Sequence, residues 1–322
     1  MIQPASVVCA GILVADLFVP LLERLPRAGE LVATEDFLFQ PGGCAANTAI
    51  ALAKLGVSVS VSGKVGNDSF GDAVVHELQA NGVQTGALSR SSSYNTSKTV
   101  ILPVVGEDRR YIHTIGANAD FMVDDIDLTL AEEAQVFALG GYFVLPKLES
   151  LRLIELLAGL RKRGVRTVLD IIVPTSSHHP TLDDLRPILP HIDVFMPNSV
   201  EATMLTGETD PEKQAELFLQ AGCAIAIITR GGDGALLMST QKTLEAPAVP
   251  VEVVDVSGAG DAFAAAGFIV GLLEQWPPED ALRFASVIGA SACTKLGCTG
   301  GVFTRKEAET YVQTHRLPIV SL

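Results

Sequence analysis

The stretch Asp255-Val256-Ser257-Gly258-Ala259-Gly260-Asp261-Ala262-Phe263 follows a mostly apolar run, 249–254, and leads into a segment that reads as a helix over 259–274. Small residues at 258–260 let the chain turn tightly and leave backbone N–H groups uncovered. The start of the helix adds the positive end of its dipole at the same place. Such a hole suits phosphate oxygens, and suits better still the charge that spreads over a phosphoryl group in transit. Asp261 falls in the first helical turn beside the hole, where a carboxylate can accept a proton from an attacking hydroxyl. An aspartate at a helix start also serves as a cap or dipole partner, so the pattern alone leaves both roles open.

Outward from this stretch, apolar β-branched runs alternate with amphipathic ones. Strands are expected at 6–13, 57–62, 136–139, 165–172, 194–196 and 224–229, and helices at 44–55, 69–81, 146–163, 279–295 and 305–314. The segment 146–163 has Pro146 at its start and Gly164 just past its end, the usual helix asymmetry. This alternation argues for an α/β fold with a mainly parallel sheet covered on both faces. Two segments break the rhythm. Residues 31–39 and 96–114 alternate apolar and polar with no helix between, and Arg109 and Arg110 follow a hairpin-like turn, Gly106-Glu107-Asp108. They read as a separate antiparallel sheet, either an edge hairpin or a lid over the active site. No repeat or linker divides the chain, so one domain over 1–322 is expected, with a β lid from roughly 14–40 and 95–115.

A second glycine cluster, Pro41-Gly42-Gly43-Cys44-Ala45-Ala46-Asn47, opens the helix at 44–55. Paired glycines let a ligand approach the backbone, and Asn47 can donate to and accept from a polyol; a plain turn explains the glycines equally well. The P-loop pattern G-x-x-x-x-G-K-[ST] is absent. After the first strand Gly11 stands alone, so a dinucleotide fingerprint is missing too.

Of the 322 residues 48% are hydrophobic, enough for a sizeable core, and the formal net charge is −14. A surface so acidic repels nucleic acid and anionic lipid, and neither is expected as a partner. A phosphate site must then be made favourable locally, by N–H groups, a few cations and Mg²⁺. Five cysteines with no C-x-x-C pair fit reduced thiols better than a disulfide scaffold or a zinc site. The N-terminal segment has no basic n-region, and the apolar run 262–273 is too short to span a bilayer; a cytoplasmic protein is expected.

The segments GGCAANTAIALAKLG at 42–56, GKVGNDSFG at 63–71 and DVSGAGDAF at 255–263 resemble the signature regions of the PfkB carbohydrate kinases. That family includes ribokinase, fructokinases, 2-keto-3-deoxygluconate kinase, adenosine kinase and the minor phosphofructokinases. Further similar pieces follow in family order: 11–16 as a first strand ending in a substrate-binding aspartate, Gly116-Ala117-Asn118-Ala119 after the lid strands, Asn198-Ser199-Val200-Glu201 as an N-x-x-E motif, and Thr229-Arg230-Gly231-Gly232-Asp233-Gly234 as a nucleotide-side turn.

The resemblance implies a ribokinase-like three-layer α/β/α fold with a small β-sheet lid. It implies ATP-dependent phosphorylation of a hydroxyl on a small sugar or sugar-like acceptor. Asp261 would be the base and Gly258, Ala259 and Gly260 the anion hole. Asp16, Gly42, Gly43, Asn47 and Asn118 would hold the acceptor. Asn198, Thr229, Gly231, Gly234 and Ser257 would serve the nucleotide, and Glu201 would organise Mg²⁺ through water. Many members also bind a monovalent cation, here K⁺ at Asp255 and Ser257 with the backbone of Ala292, Lys295 and Gly297; Gly301 stands where some relatives have a serine ligand. Without the resemblance, Asp16 reads as a loop or cap carboxylate, Glu201 as an exposed helix charge, and 229–234 as a β-turn. Lys98, Arg110 and Arg230 could face ligand or solvent.

The acceptor stays open on these grounds. The Gly-Gly loop carries no lysine for a phosphosugar, although Lys98 and Arg110 keep one possible. Phe18, Phe37, Phe39 and Tyr111 near the lid keep a nucleoside in play. A free sugar (ribose, a ketohexose or a keto-sugar acid) ranks first, then a nucleoside, then a phosphosugar; a non-catalytic sugar- or nucleotide-binding regulator is the alternative from another class. A homodimer through the lid would follow if Phe37, Phe39, Val100 and Ile101 face outward.

Overall fold

The computed structural model describes residues 5–107, 109–148, 150–174 and 180–322, and of 264–266 the backbone. Asp108, in the expected hairpin turn, lies outside the described residues. The strands in chain order are β1 (Val7–Gly11), β2 (Val14–Phe18), β3 (Leu38–Gly42), β4 (Val59–Gly66), β5 (Leu88–Ser91), β6 (Lys98–Leu102), β7 (Arg110–Thr114), β8 (Val136–Gly140), β9 (Arg166–Leu169), β10 (Val194–Phe195), β11 (Ile225–Thr229), β12 (Ala235–Ser239), β13 (Thr243–Ala246) and β14 (Val320–Ser321).

Ten of them form the main sheet, in the order β14-β13-β12-β11-β10-β9-β8-β1-β4-β5. Every neighbouring pair from β5 across to β11 is parallel. The last strands, β11 to β14, turn back as an antiparallel meander. Alternate residues of β1 enter opposite cores: Val7 and Cys9 pack on one side of the sheet, Val8 and Ala10 on the other. A sheet buried on both faces favours apolar residues on both, which is why β1, β8 and β11 read as nearly unbroken hydrophobic runs. From β1 the chain first builds outward to β4 and β5, then returns to β8 on the other flank. That reversal leaves a crevice beyond the strand ends, the usual ligand position in such sheets.

The expected three-layer α/β fold with a separate small sheet is present, with several corrections of detail. The small sheet has the order β3-β2-β6-β7. It is mixed rather than antiparallel, because β2 and β6 run parallel at its centre. The first strand ends at Gly11, so Asp16 stands not at its end but within β2 of the lid. Residues 31–37 form no strand and lie exposed. The helix expected at 146–163 begins only at Ser150, because a 3₁₀ turn, Tyr142–Val144, and a further turn at Pro146 and Lys147 precede it. The run 249–254 forms no strand; Val253 and Val254 are mostly exposed.

The helix after the anion-hole stretch also differs from its expected form. It runs in wide π-type turns over Asp261–Gly267 before regular α-helix resumes at Phe268–Leu273. Glycines seat it tightly on the helix Pro278–Ala292: a Cβ on Gly267 would lie 2.5 Å from Ala285 Cα, and one on Gly289 would lie 2.5 Å from Phe263 Cβ.

Candidate active site

Where the anion-hole loop meets the crevice, Gly258 has φ 71°, and a Cβ there would lie 2.4 Å from the carbonyl oxygen of Cys298. Backbone conformation and space both demand glycine. Gly260 lines the cleft and has open space where a Cβ would stand. Asp261 follows at once, its Oδ2 accepting a hydrogen bond from Asn47 Nδ2 at 2.8 Å. Asn47 sits one turn into the helix Cys44–Lys54, which the Gly42-Gly43 pair aims at the cleft. Its Oδ1 is buried and meets no hydrogen-bond partner among the described residues. A buried acceptor with nothing to accept is costly unless a ligand supplies the donor.

Two further groups crowd Asp261. Ligand atoms of Cys44, Asp170 and Asp261 all lie within 4.8 Å of one another. Burial raises the pKa of Asp261, against the opposing hydrogen bonds from Asn47 and Cys44. Burial also raises that of Asp170, and the Asp261 charge beside it pushes the same way. Asp170 was not singled out in the sequence; it follows β9 directly, and its only local signal was a carboxylate closing an apolar run.

On the lid side Asp16 is 7% exposed. Burial pushes its pKa up to about 7, a Thr99 hydrogen bond opposing. Gly42, on the neighbouring strand β3, leaves room for the Asp16 carboxylate. Gly43 has φ 87°, and a Cβ there would lie 2.5 Å from the Ile12 carbonyl oxygen. Phe18, Ile101 and Tyr111 from the lid complete this wall of a cleft of about 440 Å³. Asn118 takes a different part. Its Oδ1 accepts from Leu13 N at 3.1 Å and its Nδ2 donates to Leu13 O at 2.9 Å. Both ends of the amide hold the link between β1 and β2, so it positions Asp16's strand rather than facing the cleft.

A second cleft, of about 360 Å³, opens on the other side of the anion hole and is lined by Gly231, Gly234, Val249, Ala259, Phe263 and Ala290 among others. Asn198, Thr229 and Gly260 border both clefts. Gly234 has φ 83°, and a Cβ there would lie 2.0 Å from the Ala246 carbonyl oxygen. Asn198 and Glu201 cap the helix Ser199–Thr206 reciprocally: Asn198 Oδ1 accepts from Glu201 N at 2.9 Å, and Glu201 Oε2 accepts from Asn198 N at 3.0 Å. Burial pushes the Glu201 pKa up to about 7, backbone hydrogen bonds from Asn198 and Val173 opposing. The N-x-x-E spacing is therefore both a capping box and a border of the cleft.

The basic residues sort differently from expectation. Lys98 Nζ donates to Thr96 O at 3.0 Å and lies 3.6 Å from the Asp68 carboxylate. Arg110 pairs with Glu107, and Arg230 with Glu245. None of the three lines the acceptor cleft, whereas Arg109 does. Its Nη1 donates to Asp255 Oδ1 at 2.9 Å and to Ser257 Oγ. Arg109 and Arg110 are adjacent in a strand region, and only register decides which points inward.

Asp255 Oδ1 also accepts from Ser257 N and Oγ, and its Oδ2 accepts from Gly297 N at 2.9 Å. Every oxygen of the carboxylate is thus engaged. K⁺ at Asp255 does not fit this arrangement, because a guanidinium already supplies the positive charge there.

A family model described as "pfkB family carbohydrate kinase" matches residues 4–305. The ribokinase of Bacillus subtilis (strain 168) is 32% identical over 295 residues, covering 89% of this chain and 92% of its own. Among solved structures, Arabidopsis thaliana ribokinase complexed with ribose and ATP matches with a TM-score of 0.81 at 25% identity, covering 96% of this chain and 98% of that one. A putative ribokinase II from E. coli, in complex with ATP and Mg²⁺, matches with a TM-score of 0.80 at 23% identity, covering 97% and 100%.

Proposed function

The chain belongs to the pfkB family of carbohydrate kinases and is an ATP-dependent sugar kinase; from that premise we propose that its acceptor is a free neutral sugar of the ribose type and that Asp261 is the base. The observation that carries this reading is the place of Asp261. Its carboxylate borders the acceptor cleft, next to the anion hole at 258–260, and Asn47 holds it in place.

The sugar hydroxyl gives its proton to Asp261 as it attacks the γ-phosphate. A carboxylate whose pKa is raised by burial is a better proton acceptor than an ordinary one. Backbone N–H groups of 258–260 receive the charge that spreads over the transferred group. Asn198 borders both clefts and Glu201, which it caps, lines the first; there they would hold hydrated Mg²⁺, which offsets phosphate charge when bound. Thr229, Gly231 and Gly234 would line the nucleotide, whose base suits the apolar second cleft. The lid, carrying Asp16, covers the acceptor and excludes water.

The acceptor cleft is lined by four carboxylates, Asp16, Asp170, Asp261 and Glu201, against one cation, Arg109, among its described residues. Carboxyl groups in that ratio, even with burial raising their pKa values, disfavour a sugar acid or a sugar phosphate. Asp16, Asn47 Oδ1 and Asp170 together offer acceptors to a polyol's hydroxyl donors. The test is Mg·ATP turnover, by coupled ADP release, over ribose, other free sugars, sugar acids, nucleosides and sugar phosphates. Fastest turnover on a neutral sugar is expected; preference for an anionic acceptor would overturn the substrate reading.

A homodimer through the lid fits the open edge of that sheet. All five residues of β7 are exposed, Tyr111 and Ile112 among them, whereas Ile101 turns inward. A monomer by light scattering at high concentration would reject it. No described helix is long and apolar enough to cross a membrane. Five unpaired cysteines suit a reducing compartment, so we place the enzyme in the cytoplasm.

A further inference from the structure

Asp255 is 5% exposed and carries the anion-hole loop through its hydrogen bonds to Ser257 and Gly297. Its one cationic partner among the described contacts comes from elsewhere in the fold. Arg109 stands at the foot of β7 on the lid, 146 positions away in sequence, yet its guanidinium reaches both Asp255 and Ser257. Tyr111, also on the lid, flanks that guanidinium with its ring 5.7 Å away. Depriving a buried carboxylate of its cationic partner is strongly unfavourable. The ion pair is therefore a connection between lid and loop that opening the lid must break.

The place of the contact matters as much as its strength. Ser257 is the residue directly before the anion hole, so a cation seated there adds positive potential next to the transferred phosphoryl group. The protein as a whole is strongly acidic, and the cleft lining adds four carboxylates. Some local cation is needed to make this a phosphate site.

We propose that Arg109 is a positioning residue that pins the lid to the anion-hole loop, and that its guanidinium fills at Asp255 and Ser257 the position a monovalent cation would otherwise take. Closing the lid then completes the anion hole in the same movement, and the enzyme does not depend on K⁺. The inference rests on the sugar-kinase reading of the site.

The test uses the full chain with Mg·ATP and D-ribose, in K⁺ buffer and in tetramethylammonium buffer. Wild-type rates within about twofold of each other are expected in the two buffers; a strong requirement for K⁺ overturns the proposal. Arg109→Ala is expected to raise the ribose KM at least about tenfold. It should also release more ADP than sugar phosphate, because an unpinned lid admits water. Added guanidinium ion should reverse both effects, a response that simple loss of packing would not show. Arg109→Lys, which keeps the charge, should fall between wild type and Arg109→Ala, and keeps the test alive if the alanine variant folds poorly. Asp255→Asn also loses an acceptor for Ser257 or Gly297, so the double variant is expected to fall short of the sum of the two single effects by the one contact they share. Unchanged KM and coupling in Arg109→Ala, or additive effects of the two substitutions, would overturn the pin. Wild-type silence on every acceptor would instead count against the kinase reading, and is seen before any variant is made.

Discussion

The Asp16 carboxylate occupies the space that a side chain on Gly42 would need: a Cβ on Gly42 would lie 1.7 Å from Asp16 Oδ2. The two residues lie on paired antiparallel strands, β2 and β3. Glycine at 42 is therefore a consequence of where Asp16 points, not of a turn. Gly42→Ala should displace the carboxylate and lower kcat/KM for the sugar by about 10- to 100-fold, through KM more than kcat. Mg·ATP affinity and the circular dichroism spectrum should stay unchanged. An unaltered sugar KM would mean that Asp16 does not hold the acceptor.

Asp261→Asn keeps the shape of the side chain and removes the proton acceptor. Turnover should fall by about 10²-fold or more while Mg·ATP binding, read by calorimetry, changes little. Near-wild-type turnover would remove Asp261 from the role of base.

Asp16 titrates at about 7, well above an ordinary aspartate, because burial disfavours its charge. In its proposed role the ionised form accepts sugar hydroxyls, so sugar kcat/KM should rise as pH goes from about 6 to 8. Stability should run the other way. A raised carboxylate pKa stabilises the fold fully only below the unfolded value, near 4, and that contribution is lost as pH rises through about 7. Without ligand, Asp16→Asn should therefore melt above wild type at pH 8, with the gap closing toward pH 5. A gap independent of pH would contradict the shift.

Asp170 faces Asp261 with no cation between them among the described residues. Replacing it by asparagine removes one ionisable carboxyl from beside Asp261 in the acceptor cleft. The ratio of turnover on 2-keto-3-deoxygluconate to turnover on ribose should rise by about tenfold in Asp170→Asn. A constant ratio would show that Asp170 plays no part in choosing the acceptor.

Asn118 spends both ends of its amide on Leu13. Asn118→Ala leaves a buried N–H and C=O unpaired and should cost about 2 kcal/mol of stability, visible as a lower urea midpoint. A lowered sugar affinity at full stability would return Asn118 to the acceptor site.

Much of the fold was legible in the sequence because its periods are strong. The helices Cys44–Lys54, Ser69–Ala80 and Arg305–Thr314 fall within about a residue of expectation, each marked by its caps and an apolar stripe. The strands β1, β8 and β11 were equally plain, since burial on both faces leaves unbroken apolar runs. The lid was legible only as an alternation. Its parallel β2–β6 pair and the strand that carries Asp16 were not, because pairing partners lie about 80 positions apart and no local pattern specifies them. No local pattern tells Arg109 from Arg110 as the one that enters the cleft, for the same reason.

Two kinds of information thus separate. Neighbouring residues prescribe local shape: Gly258 and Gly260 open the backbone, and Asp261 follows them into the helix wherever the chain is folded. Such preferences act within a few bonds and are written in the order of the chain. The tertiary fold alone brought Asn47 to Asp261 across 214 positions and Arg109 to Asp255 across 146. It also set Asp170 against Asp261 and Asp16 against Gly42. Those meetings depend on strand register and on how the lid and the two faces of the sheet pack. A shift of one residue would turn every side chain of a strand the other way, and a period-two pattern does not say which partner it will meet.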